Sequence, residues 1–204
     1  MRIELIGPPG AGKSTLAPRL ANRLGAELTD LAARRSVGGN ELTSWERRFA
    51  TGHGVLRNAG LTLQLLAAGP RTGRALRGAL GAGRREDAIR SLSSEDRIVD
   101  EGPLHAALWT LMLCTREANA ARLARSLSRP DVILWVEAPI GLLAERIEAD
   151  GARQLVGTGE AVATLLQTYS SIADALIEAL EVPVMHVDTS LTIDLDDIAS
   201  RIRH

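Results

Sequence analysis

Lysine is almost absent from this sequence of 204 residues, in which twenty-three arginines accompany a single lysine, Lys13. Cysteine also occurs only once, at Cys114, which excludes an internal disulfide and fits a reducing compartment such as the cytoplasm. Aromatic residues make up 2% of the chain and the net charge is −1, so neither base stacking nor a positive field for nucleic acid is indicated. No apolar run reaches the roughly 18 residues that a membrane-spanning helix requires. The composition therefore predicts a cytoplasmic protein with neither a membrane nor a nucleic-acid partner.

One motif near the start carries most of the chemistry. The apolar segment 3–6 leads into Gly-Pro-Pro-Gly-Ala-Gly-Lys-Ser, a full match to Gly-x-x-x-x-Gly-Lys-[Ser/Thr], and a helical pattern follows at once. In this setting glycines let successive backbone N–H groups face one anion, and the helix N-terminus adds partial positive charge. Lys13 is predicted to reach the β- and γ-phosphates, since a compact ammonium fits between phosphates where a planar guanidinium does not. The predicted phosphate-binding residues are Gly7, Pro9, Gly10, Ala11, Gly12, Lys13, Ser14 and Thr15, with the Ser14 hydroxyl also placed to bind Mg²⁺.

Strand and helix patterns alternate along the rest of the chain, which predicts an α/β fold with a parallel sheet wrapped by helices. The segment 31–95 lacks strand signals and is rich in arginine and glycine. We interpret it as a helical insertion that covers or receives a second substrate, with glycines weakening its helix at 71–80. The length favours a single domain over residues 1–204. The strand patterns lie at 3–6, 26–29, 97–100, 132–136 and 182–187, and helical patterns outside the insertion lie at 15–24, 103–114, 116–127, 139–148, 160–180 and 193–203.

Carboxylates follow two of the predicted strands. Ligands of a parallel sheet bind beyond the carboxyl ends of its strands, where Asp30, Asp100 and Glu101 should lie near the phosphate loop. Asp100 is the preferred Mg²⁺ residue, and its alternative role is to cap the helix that follows. Asp30 or Glu101 is the preferred base for the attacking hydroxyl, and the sequence leaves both open.

These features together resemble the P-loop nucleoside and nucleotide kinase family, especially its thymidylate-kinase-like members. The resemblance rests on the phosphate loop, on the strand that ends at Asp100, and on the run Glu137-Ala138-Pro139…Leu143…Arg146-Ile147…Gly151…Arg153. It implies a P-loop NTPase fold with a five-stranded parallel sheet, helices on both faces, and a lid over 146–159. It further implies that Arg146 and Arg153 close on the ATP phosphates, and that adenine lies between a lid arginine and the loop near Thr189.

The acceptor side departs from that family. An Asp-Arg or Glu-Arg pair is usual after the third strand, whereas this chain has Asp100-Glu101-Gly102-Pro103. A carboxylate at Glu101 would repel an acceptor phosphate and suits a neutral or cationic hydroxyl compound. Arg34 and Arg35, beyond the second strand, can restore an acceptor-phosphate site. The insertion offers only Trp45 and Phe49 to sandwich a base.

The sequence therefore predicts an ATP-dependent, Mg²⁺-requiring phosphotransferase. Its acceptor is a small hydroxyl- or phosphate-bearing compound, such as a nucleoside, a nucleotide or another metabolite. The alternative is a P-loop ATPase or nucleotide-binding switch that acts on a protein partner. A guanine-specific GTPase is disfavoured because no Asn-Lys-x-Asp motif occurs, and a polynucleotide 5′-hydroxyl kinase is disfavoured by charge and aromatic content. The sequence leaves a homodimer open.

Overall fold

The sheet contains five parallel strands in the order β2-β3-β1-β4-β5, so that β1 occupies its centre. The computed structural model describes residues 1–30, 56, 58–69, 73–90, 96–114, 119–149 and 160–203. Within these ranges the strands are β1 (Arg2–Ile6), β2 (Glu27–Asp30), β3 (Arg97–Asp100), β4 (Val132–Glu137) and β5 (Val184–Asp188). The helices are α1 (Lys13–Leu24), α2 (Ala59–Ala67), α3 (Gly73–Arg90), α4 (Pro103–Met112), α5 (Ala120–Ala124), α6 (Ile140–Ala149), α7 (Glu160–Leu180) and α8 (Leu195–Arg203).

The interior strands are buried on both faces, which explains their nearly continuous apolar sequences. Helices α1, α6 and α8 cover one face, and α2 to α5 cover the other. The long helix α7 contributes side chains to both apolar clusters. The predicted α/β fold, with a five-stranded parallel sheet and helices on both faces, is confirmed. No helix in the described ranges is both long and apolar enough to cross a bilayer.

Most predicted element boundaries agree with the structure to within about two residues, including the end of α1 at Gly25, which has φ 67°. The helix predicted at 116–127 extends too far at its C-terminal end, because α5 ends at Ala124 and residues 125–127 are not helical. Residues 116–118 of the predicted range lie outside the described residues. Asn119 caps α5, its side chain accepting from the N–H of Arg122 at 2.8 Å. The insertion carries a further helical sequence pattern at 41–50, which lies outside the described residues.

The helix predicted at 71–80 is present, but its predicted end is ten residues too early. Helix α3 continues for 18 residues to Arg90 and packs along α4. Gly78 permits this close approach, since a Cβ there would lie 2.5 Å from Thr110 Oγ1. The Thr110 hydroxyl is fixed because it donates to the carbonyl oxygen of Ala106 at 2.7 Å. Tertiary contact thus offsets the low intrinsic helix propensity of glycine.

Two glycines of α3 provide a matched test of this packing. A Cβ at Gly81 would meet no atom within 4 Å. We therefore expect Gly81→Ala to stabilise the protein by up to about 1 kcal/mol, through helix propensity alone. Gly78→Ala gains the same propensity but must displace Thr110, so we expect a net loss of about 1–3 kcal/mol. Urea unfolding measures both changes, and equal effects of the two substitutions would contradict the packing described.

Candidate active site

The phosphate loop follows the central strand and is packed against β4. Gly7 has φ 155°, and a Cβ there would overlap the carbonyl oxygen of Val136. Gly10 and Gly12 take left-handed conformations with φ 77° and 85°, as expected for a loop whose N–H groups converge on an anion. Helix α1 then begins at Lys13, so its N-terminus is directed at the loop. The local geometry predicted from the motif is present.

Lys13 fills the interior of this loop. Its Nζ donates to the carbonyl oxygens of Gly7 at 2.8 Å and Pro8 at 3.0 Å, and the residue is only 9% exposed. Burial lowers the pKa of Lys13 from 10.5 to about 8, while the negative charges of Asp100 and Glu101 oppose this change. The structure therefore brings these two carboxylates within electrostatic reach of Lys13. Ser14 is exposed at the start of α1.

The carboxyl end of β3 forms a tight turn. Asp100 is buried, and its Oδ1 accepts from the N–H of Glu101 at 3.0 Å. Glu101 has φ 51°, which is rare for a residue with a side chain. Its Oε2 lies 3.5 Å from Nη2 of Arg85, on α3. Arg85 is therefore a candidate acceptor-side residue that sequence reasoning missed, because only the packing of α3 on α4 brings it to the end of β3.

Glu4 and His105 are also near this turn and were not predicted. Glu4 is fully buried in β1, and its Oε1 accepts from the N–H of Leu104 at 2.9 Å and of His105 at 3.4 Å. Burial raises the pKa of Glu4 from 4.5 to about 7. Burial together with the positive charges of Lys13 and Arg85 holds the pKa of His105 well below its usual value, so its imidazole is neutral at pH 7. Its Nδ1 is buried without a hydrogen-bond partner among the described residues.

Arg146 joins the loop to the last strand. It lies within α6, not in a loop, and Nη1 donates to the carbonyl oxygen of Gly10 at 3.1 Å and to Thr189 Oγ1 at 2.9 Å. Its Nη2 donates to the carbonyl oxygen of Thr189 at 3.1 Å. Thr189 Oγ1 in turn donates to the carbonyl oxygen of Ala11 at 2.9 Å. The part of the predicted lid that begins at Arg146 is thus helical through Ala149 and bonded to the phosphate loop.

A cavity of about 490 Å³ adjoins the phosphate loop at Pro8, between the end of β4 and helices α6 and α7. This volume is within the range of small-molecule sites. Its walls combine the indole of Trp135 and the side chains of Leu143 and Leu166 with the carboxylates of Glu137 and Asp174. No arginine, lysine or histidine is among its described lining residues. It therefore suits uncharged or cationic groups better than phosphate.

Several predicted site residues cannot be placed. Arg34, Arg35 and Arg153 lie outside the described residues, as does the lid segment 150–159. Asp30 is placed only by its backbone, which pairs with Asp100 in the β2–β3 register. No group of three His, Cys, Asp or Glu side chains capable of enclosing a metal is found in the part of the chain that the structure describes.

The parallel sheet with a phosphate loop after its central strand gives this chain the fold of the P-loop nucleoside and nucleotide kinases. The resemblance predicted from sequence is thus confirmed for the fold. No protein-family model and no curated protein matches the sequence.

Solved structures of three kinds share this fold over nearly the whole chain. Deoxyadenosine kinase from M. mycoides with bound dATP has a TM-score of 0.57 at 14% identity, covering 100% of both chains. Shikimate kinase from Acinetobacter baumannii with shikimate has a TM-score of 0.52 at 16% identity, covering 99% of this chain and 90% of its own. The YorR protein from Bacillus subtilis, in complex with phosphorylated GDP, has a TM-score of 0.53 at 12% identity, covering 100% and 94%.

The raised pKa of Glu4 predicts a pH dependence of stability. Between pH 4.5 and about 7 the folded protein holds a proton on Glu4 that the unfolded chain has lost. The contribution of this group to the free energy of unfolding therefore falls as pH rises through that window. Above about pH 7 Glu4 is ionised in both states, and the full cost of burying its charge is present. Glu4→Gln removes this titration. We expect the variant to gain up to about 3 kcal/mol relative to wild type between pH 4.5 and 8, as measured by urea unfolding. A constant difference over this range would contradict it.

Proposed function

We propose that the protein is an ATP-dependent phosphotransferase that moves the γ-phosphate to a small hydroxyl- or phosphate-bearing acceptor. The observation that carries this proposal is that Lys13 lies inside the phosphate loop, which follows β1, while Asp100 and Glu101 lie at the end of the neighbouring strand β3 and within electrostatic reach of the Lys13 ammonium. A phosphate-binding loop and acidic groups across one cleft are the parts that phosphoryl transfer needs. The fold shared with kinases named for deoxyadenosine and for shikimate supports a small-molecule acceptor.

The triphosphate would replace internal contacts of the loop. The ammonium of Lys13 now donates to two loop carbonyls, and phosphate oxygens offer it stronger, charge-assisted acceptors. Backbone N–H groups of the loop and the N-terminus of α1 add donors that need no reorganisation. The guanidinium of Arg146, bonded to Gly10 and Thr189, lies at the same edge of the sheet and would face the nucleotide. Arg153 is proposed to join it from the lid.

The residues present fit a magnesium ion. Mg²⁺ prefers hard oxygen ligands and is usually held by one or two carboxylates together with substrate phosphates and waters. The exposed Ser14 hydroxyl, next to Lys13 in the sequence, and the Asp100 carboxylate, within electrostatic reach of Lys13, are such oxygens. When bound, the ion would neutralise charge on the β- and γ-phosphates. Ser14 and Asp100 are therefore the proposed magnesium residues.

One carboxylate of the proposed acceptor side has a cationic partner. Arg85 is ion-paired with Glu101, so a neutral hydroxyl compound would meet little net repulsion there. An acceptor bearing phosphate would have to part this pair or use Arg34 and Arg35. Glu101 or Asp30 would accept the proton of the attacking hydroxyl.

Lys13→Ala tests the phosphate site. We expect acceptor-dependent ADP formation to fall by at least about 100-fold, because a donor to the transferring group is lost. Lys13→Arg should fail to restore activity, since the planar guanidinium does not fit between the loop carbonyls. Arg201→Ala, on the exposed face of α8, serves as the control with unchanged activity. Full activity in Lys13→Ala would overturn the site assignment.

Asp100→Asn tests the magnesium role. The neutral amide is a poorer ligand for a hard cation, so we expect turnover to fall and half-saturation to require at least about tenfold more Mg²⁺. Glu101→Gln is the matched variant, for which we expect altered acceptor kinetics and an unaltered Mg²⁺ titration. A magnesium dependence that is the same in wild type and Asp100→Asn would assign that role to another carboxylate.

A further inference from the structure

A carboxylate occupies the middle of the central strand. Glu4 pairs through its backbone with Val99 of β3 and Ile133 of β4, and none of its surface is exposed. Burial of an ionisable group in a sheet core is unfavourable unless hydrogen bonds compensate for lost hydration. The phosphate-loop motif does not require an acidic residue at this position. The position therefore calls for a specific structural reason.

The contacts of Glu4 show what it does. Helix α4 begins after Gly102, which has no side chain to cap it, and its first residue, Pro103, has no N–H. The next two N–H groups, of Leu104 and His105, both point at Oε1 of Glu4. The fourth residue, Ala106, already bonds to the carbonyl oxygen of Gly102 at 3.1 Å. Glu4 thus performs, from a neighbouring strand, the function of an N-cap side chain.

Close packing makes this contact restrictive. A Cβ at Gly102 would overlap the Glu4 carboxylate and would lie 2.9 Å from Cγ1 of Val99. The start of α4 is therefore seated directly on Glu4. Glu101, which immediately precedes Gly102, keeps its left-handed φ of 51° only where the surrounding structure enforces it. Any movement of the helix start would be passed to Glu101 and Asp100.

The surroundings of Glu4 include charged and titratable groups from four elements. They are Arg2 on β1, Glu86 on α3, His105 on α4 and Tyr169 on α7. The second oxygen, Oε2, is buried without a hydrogen-bond partner among the described residues. Only Oε1 therefore has a bonding role, and that role is directed entirely at α4. Glu86 is a second buried carboxylate, but its Oε1 accepts from Ser128 and Arg90, and no hydrogen bond from it to α4 is found among the described residues.

We propose that Glu4 is a positioning residue for the acceptor side of the site: by holding the N-terminus of α4, its carboxylate fixes the Asp100–Glu101 turn beside Lys13. This inference rests on the proposed phosphotransferase function. Glu4 itself does not touch substrate. Its effect is transmitted through the backbone of residues 101–105, so it bears on the acceptor and the proton-accepting carboxylates and leaves the phosphate loop unchanged.

Amide hydrogen exchange in the ligand-free protein tests the cap directly. In Glu4→Leu, which lacks an acceptor, and Glu4→Asp, which is one methylene too short, the amides of Leu104 and His105 should exchange at least about tenfold faster. Glu4→Gln retains an acceptor oxygen and should keep most of the protection. Glu86→Gln is the control from the same buried region. Protection of the β4 amides at the wild-type level shows that each variant is folded. If the Leu104 and His105 amides of folded Glu4→Leu and Glu4→Asp exchange at the wild-type rate, the proposal is overturned.

Kinetics on the same variants test positioning. We expect kcat/KM for the acceptor to fall about 10- to 100-fold in Glu4→Leu and Glu4→Asp, to recover largely in Glu4→Gln, and to be unchanged in Glu86→Gln. The Kd for ATP should stay within about twofold of wild type throughout. Loss of the cap without a change in acceptor kinetics, or an equal loss of ATP affinity, would contradict a positioning role. Absence of transfer by wild type would refute the proposed function. The exchange data would still show whether Glu4 caps the N-terminus of α4.

Discussion

The structure depends on one close contact, in which the backbone of Gly7 lies against the carbonyl oxygen of Val136 with no room for a side chain. That contact turns the chain out of the sheet at the end of its central strand and commits the next residues to a loop. Other elements are then built around the loop. Gly10 lies against the backbone of α6, and Gly12 lies against Thr189 at the end of β5. Three separate segments therefore hold the loop in shape, which is the preorganisation that the proposed phosphotransfer would require.

Charge is the second organising feature of the site. A buried ammonium at Lys13, two carboxylates at Asp100 and Glu101, and the guanidinium of Arg85 lie around the ends of β1 and β3. Each charge is partly compensated by another or by backbone groups, which offsets the cost of burying Lys13 and Asp100. Glu4 adds a further buried carboxyl group, which accepts the N–H groups of Leu104 and His105 just after the turn. The cost of burying Glu4 is consistent with a functional constraint on the turn that it supports.

Local signals predicted much of this arrangement. The phosphate loop and all five strands follow from glycine placement and apolar runs, which act over a few neighbouring residues. What could not be predicted depends on contacts between distant segments. Helix α3 is longer than its glycine content predicts, because Gly78 fits against Thr110 of α4. That packing also brings Arg85 to Glu101. Glu4 likewise bonds to the N–H of Leu104, a hundred residues away in α4. The roles of the predicted site residues stay predictions, and for Arg34, Arg35 and Arg153 so does their placement.

Phosphorus NMR of the protein with Mg²⁺, ATP and a panel of nucleosides, nucleoside monophosphates and non-nucleotide alcohols is the most direct test of the central claim. It follows every phosphorus atom at once and so separates transfer from hydrolysis. We predict that the γ-phosphate signal of ATP decays as a new resonance, of a phosphorylated acceptor, appears in one class of compound. Conversion of ATP to ADP and inorganic phosphate alone, whichever acceptor is present, would contradict phosphotransfer and favour an ATPase or nucleotide-dependent switch.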